Sequence, residues 1–169
     1  MSVATRESSA YYAVLAVANV AGNVSDFRAL TDNDGVACLM RAAQRFRSSA
    51  RMHKAFVTAI MHLSFAAASR ADVAAAGVLQ LLLHMAGSVR GETLMMLLTT
   101  LKRFAVDPTY HRLLLEAGAF EQLQSVQYTR EHREAQDLLY KLQLMVRPPS
   151  PAAPPNVPGQ SVAARPVHA

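Results

Sequence analysis

Three glycines recur at a nearly constant interval: Gly35, Gly77 and Gly118 are 42 and 41 residues apart. Each interrupts a run of helix-forming residues, which resumes at once behind a small apolar residue. The stretches are NDGVACLM (33–40), VAAAGVLQLL (73–82) and LLLEAGAFEQLQSV (113–126). Glycine lets a chain bend sharply between two helices because it has no Cβ to clash. The interval also holds at other positions. Five residues after each glycine stand Met40, Leu82 and Leu123, and eight after stand Ala43, Met85 and Val126. About 25 residues after come the apolar pairs Ile60/Leu63, Leu101/Phe104 and Leu139/Leu142, whose three-residue spacing puts both members on one helix face.

A repeat in the low forties is the period of helical solenoids of the armadillo and HEAT class, and is too long for tetratricopeptide or ankyrin units. Composition agrees with helices. Apolar residues make up 51% of the 169, aromatics 7%, Trp is absent, and seven glycines are too few for a strand-and-turn protein. Ala, Leu and Met lose little rotamer freedom in helices. The fold class expected is therefore all-α, one domain with a tail.

Each unit reads as a short helix, a bend at glycine, a second helix, a polar turn and a longer third helix. The second unit gives Ala71–Ala76, Val78–Ala86 and Glu92–Ala105; the third gives Thr109–Ala117, Phe120–Val126 and Glu131–Met145. Asp107-Pro108 separates them, since Pro cannot continue a helix. The domain reading is 9–145, divided as a partial unit 9–24 and units 25–66, 67–107 and 108–145. Ser8 or Ser9 is the expected cap of the first helix, and Cys38 is expected as a small buried hydrophobe. Residues 146–169 hold seven of the eight prolines and read as a disordered tail, in which Pro151-Ala152-Ala153-Pro154 is a candidate ligand for an aromatic-lined groove.

The chain resembles armadillo-repeat proteins in EAGAFEQLQSV, AAGVLQLLLHMAG and the third-helix ending AVLAVANVAGN. That resemblance implies a right-handed superhelical solenoid of about three and a half repeats. It further implies a concave groove, lined by the third helices, that holds an extended partner segment. Carried over unit by unit, the groove ladder is Asn19, His62, Arg103 and Lys141, with Leu15, Thr58, Thr99 and Asp137 one turn earlier. Members that hold basic peptides carry Trp at that earlier place, so a chain without Trp is not expected to bind one. Here the ladder is basic, extended by Lys54 and Lys102, and the partner expected is an acidic peptide or protein segment.

A second basic feature is independent of the resemblance. No acid occurs from Gly35 to Ala71, while Arg41, Arg45, Arg47 and Arg51 crowd RAAQRFRSSARMHK. This candidate basic edge suits phosphate groups, or its arginines serve a helix C-terminus. Only Phe46 interleaves with them, which gives base stacking and nucleic acid little support.

No phosphate loop, metal-ligand spacing or acyl-transfer constellation is present, and one cysteine excludes an internal disulfide framework. No enzyme activity, metal or cofactor is expected. No apolar run reaches the length of a membrane helix. Ala10–Ala21 has the length of a signal apolar region, but only Arg6 beside Glu7 precedes it. The reading is a cytoplasmic adaptor, with nucleus or cilium as other compartments. The alternative is a small subunit of a ciliary, cytoskeletal or ribonucleoprotein assembly, packed through its end faces.

Overall fold

Whether a residue can hold a positive φ decides where these helices meet. A computed structural model of the chain describes residues 3–23, 30, 34–126 and 131–146. Within them Asp34, Gly77 and Gly118 have φ of 56°, 80° and 77°, and each immediately precedes a helix. Two of the three bends fall on the glycines expected. In the first unit the left-handed residue is instead Asp34, whose short polar side chain tolerates that region. Gly35 is needed for another reason: a Cβ there would lie 2.1 Å from the backbone oxygen of Leu30.

Nine α-helices and one 3-10 turn are described: α1 (Val3–Asn23), α2 (Gly35–Arg45), α3 (Ala50–Leu63), α4 (Ala67–Ala75), α5 (Val78–Ala86), α6 (Gly91–Ala105), the 3-10 turn Pro108–Tyr110, α7 (His111–Glu116), α8 (Ala119–Gln124) and α9 (His132–Val146). No strand occurs among the described residues. The chain is all-α.

Several local expectations shift for identifiable reasons. α1 starts at Val3, so Ser8 and Ser9 lie inside it and cap nothing; Ser9 Oγ donates back to the Thr5 carbonyl at 3.1 Å. The helix start marked by serine belongs to α3, where Ser49 Oγ accepts from Met52 N at 3.4 Å. α4 begins four residues before the expected Ala71, taking in the helix formers Ala67 to Arg70 and burying Ser69. Pro108 divides the expected helix 109–117, because Asp107 accepts from Thr109 N at 3.0 Å and opens a 3-10 turn before α7. Cys38 is exposed, since Val36, Leu39 and Ala43 take the inward face of α2. The proline-rich tail, its candidate motif, and the segment before Gly35 apart from Leu30 and Asp34 lie outside the described residues.

The long helices pack in the order α1 on α3, α3 on α6 and α6 on α9; α4 packs on α3 and α5, and α5 on α6 and α8. α3, between α1 and α6, buries Met52, His53, Ala55, Phe56, Val57, Ala59, Ile60 and Leu63. One apolar cluster runs from Val14 to Leu142 and includes Ile60, Leu63, Leu101 and Phe104, each 0% exposed, with Leu139 packed half-buried against it. Phe104 meets Tyr110 edge-on at 5.2 Å, which seats the 3-10 turn against α6.

Glycine substitutions separate these roles. Gly77→Ala should cost about 1–2 kcal/mol through left-handed strain, and Gly35→Ala about 1–3 kcal/mol through its clash with backbone. Gly87 has φ −70° and only Ser125 Oγ at 3.5 Å from an added Cβ. Gly87→Ala should therefore be neutral or stabilising by up to ~1 kcal/mol. Urea denaturation of the three variants measures the order.

Candidate interaction surface

The outward positions of the long helices recur at helical spacing. On α6 they are Glu92, Met95, Met96, Thr99, Lys102, Arg103 and Val106, all exposed or half-buried, while Leu94, Leu97, Leu98 and Leu101 are buried. On α3 the outward stripe is Arg51, Lys54, Thr58, His62 and Phe65, and on α9 it includes Arg133, Asp137, Lys141 and Leu144. The stripes touch across helices. Lys54 Nζ lies 2.5 Å from Glu92 Oε2, and Thr58 Oγ1 lies 3.9 Å from Met96 Sδ. Lys102 pairs with Glu134 and, at 3.5 Å, with Asp137.

Two ladder side chains reach back to the preceding long helix at matching places. His62 Nδ1 is 3.0 Å from the carbonyl of Ala18, the residue before Asn19. Arg103 Nη1 donates at 3.0 Å to the carbonyl of Met61, the residue before His62, and at 2.9 Å to Ser64 Oγ. For His62 to donate, Nδ1 must carry a proton. A Cβ on Gly22 would lie 2.9 Å from the His62 ring, so this glycine makes room for the imidazole against α1. Sequence reading missed that role; the signal available was a glycine inside a helix, where it is otherwise unfavourable.

Arg103 is held on several sides. Its guanidinium carbon lies 3.6 Å from the centre of the Phe65 ring, and Arg70 Nη1 donates to the carbonyls of Ser64 and Phe65 at 3.0 and 3.1 Å. Burial, and then the charge of Arg70, push the Arg103 pKa down. The two arginines are placed where the last carbonyls of α3 concentrate negative charge. Of the remaining ladder residues, Asn19 and Lys141 are exposed, and Lys141 has no ion pair among the described residues. In the row one turn earlier, Leu15 and Thr58 are half-buried and Thr99 and Asp137 exposed.

The four arginines of the expected basic edge have different neighbours. Arg41 donates to Cys38 Sγ at 2.9 Å, and Arg45 lies 5.9 Å from the Phe46 ring centre. Neither donates to a carbonyl among the described residues. Arg51 crosses to α1, 3.2 Å from Glu7 Oε1 and 5.1 Å from the centre of the Tyr11 ring. Arg47 faces a cleft beside His53, with no partner among the described residues. Glu7 also accepts from Ser49 Oγ at 2.8 Å. That hydroxyl first, and Arg51 second, lower the Glu7 pKa.

Among the described residues no group of three or more His, Cys, Asp or Glu is placed to hold a metal ion, and no helix is long and apolar enough to cross a membrane. Comparison with protein-family models, curated proteins and solved structures finds no match.

Two predictions follow from these contacts. Arg103→Lys should destabilise the protein by about 1–2 kcal/mol and Arg103→Ala by at least as much, because an ammonium cannot both span the carbonyl and hydroxyl and stack on Phe65. Thermal and urea unfolding read the loss. Glu7 has a folded pKa below its ordinary 4.5, so its contribution is present above that pH and is lost as pH falls through the folded value. The stability difference between wild type and Glu7→Gln should therefore shrink on going from pH 6 to pH 3.5, as paired urea melts would show.

Proposed function

We propose that the chain is a non-enzymatic, armadillo-like interaction module that holds an extended segment of a partner protein along α1, α3, α6 and α9. One observation carries this reading. The described large apolar side chains that are exposed are Tyr12, Val20, Phe65, Met95, Val106, Tyr140 and Leu144, and every one lies on these helices or within two residues of their ends. Apolar side chains gathered on one row of helices, with charged groups between them, suit protein recognition better than bare solvation. Three further features support the solenoid part of the proposal: the stacking order of the long helices, the left-handed residues before α2, α5 and α8, and the matched ties of His62 and Arg103.

The acidic character proposed for the partner rests on Lys141 and on the net charge of +5. Lys54 and Lys102 already face acids, so they contribute less to an incoming charge. Nucleic acid is not part of the proposal. The second reading is a subunit packed through its ends, and Tyr140, 62% exposed on the last helix, favours it.

Because His62 and Arg103 tie helices together, replacing them would test folding as much as binding. The better variant is Met95→Ser, Tyr140→Ser, Lys141→Glu, all at exposed positions. Affinity capture followed by cross-linking should lose the partners bound by wild type while circular dichroism and melting stay unchanged. Equal capture by both proteins would remove the basis for this wall. Loss with Tyr140→Ser, Leu144→Ser alone, and none with Met95→Ser, selects the end-packed subunit.

A further inference from the structure

The cleft that Arg47 faces lies on a different part of the molecule. A cavity of about 580 Å³ between α2 and α5 adjoins one of about 490 Å³ beside the starts of α3 and α6, since both are lined by Arg47, His53 and Ser88. This is the size range of small-ligand sites. Met40, Leu81 and Met85 supply apolar surface at one end. Arg90 joins Arg47 at the other. No Asp or Glu is among the residues lining either part. The nearest acid in sequence, Glu92, is engaged by Lys54.

His53 is 7% exposed, yet its ring has no hydrogen-bond partner among the described residues. The ring lines both parts of the cleft, and its nitrogens are not sealed off from it. Burial lowers its pKa, and a nearby anion would oppose that shift. One uncapped helix start lies beside it. Arg90 precedes the 15-residue α6 without a side-chain cap, whereas the start of the 14-residue α3 is already capped by Ser49, which also holds Glu7. Helix starts and guanidinium groups both favour anions. Arg90 Nη1 is taken by the carbonyls of Gly87 and Val89 at 2.8 and 2.6 Å, which leaves Nη2 and Nε available and steadies the side chain at the cleft.

We infer that this cleft binds a phosphate monoester carried on a small apolar body. The phosphate sits between Arg47, Arg90, His53 and the start of α6, and the body extends towards Met40, Leu81 and Met85. Donors from several directions suit a tetrahedral dianionic head with three terminal oxygens better than a planar carboxylate, which a single arginine satisfies. The site does not depend on the wall of long helices proposed above.

The test is calorimetry on the full chain with phenyl phosphate, inorganic phosphate and benzoate, together with NMR of the His53 ring. Phenyl phosphate should bind most tightly and shift the His53 resonances. Arg47→Gln and Arg90→Gln, both at exposed positions, should each weaken it roughly tenfold, while Arg41→Gln should leave it unchanged. Benzoate binding as tightly as phenyl phosphate would overturn the assignment. So would an equal loss with Arg41→Gln, an unmoved His53 resonance, or no binding at millimolar ligand. A phosphotyrosine peptide distinguishes the sources of this chemistry: tighter binding than phenyl phosphate assigns a partner's side chain, and weaker binding a free molecule. Either result leaves the test of the long-helix wall unaffected.

Discussion

A left-handed residue between a short helix and its successor is the constraint on which the arrangement rests. At positions 77 and 118 the chain leaves one helix and enters another, and at 34 it enters a helix, with φ between 56° and 80°. A regular right-handed continuation would fuse the two helices, and their combined apolar faces would no longer meet the long helix that follows. With the bend in place, Leu39, Leu82 and Leu123 are buried in one cluster with Leu63, Leu101 and Leu142. Packing of these faces, rather than helix propensity alone, stabilises such short segments; α7 and α8 have six residues each and would not persist in isolation.

Charge follows packing. Once α3, α6 and α9 lie side by side, an outward cation on one helix is within reach of an acid on the next, and Lys54 and Lys102 are paired in this way. Arg103 and Arg70 are drawn to the carbonyl end of α3, where ring stacking and hydrogen bonds reinforce the charge-dipole attraction. Much of the positive charge on this face is thereby turned inward, to joints between helices. Among the described cations that still face open space, Lys141 and Arg47 belong to different parts of the surface.

The shift from Gly35 to Asp34 shows how far a glycine register can be read. Repetition marks the neighbourhood of a bend, because a bend must recur if the unit recurs. It does not tell a glycine required for φ, such as Gly77, from one required for space, such as Gly35 against the Leu30 oxygen or Gly22 against His62. Both needs select the same residue. Only the neighbouring atoms distinguish them, and those come from elsewhere in the chain.

The all-α class, the breaks at Pro108, Gly77 and Gly118, and the limits of α5 and α6 were legible in the order of residues. They depend on backbone preference and on apolar spacing within a few turns. Where the charged side chains end up was not legible. His62 meets Ala18 across 44 positions, Arg103 meets Met61 across 42, and Glu7 meets Ser49 across 42. The cleft around His53 likewise needs α2, α5 and the starts of α3 and α6 together. Long polar side chains take their partners from whatever packing brings near, so their roles are settled only when the helices have been stacked.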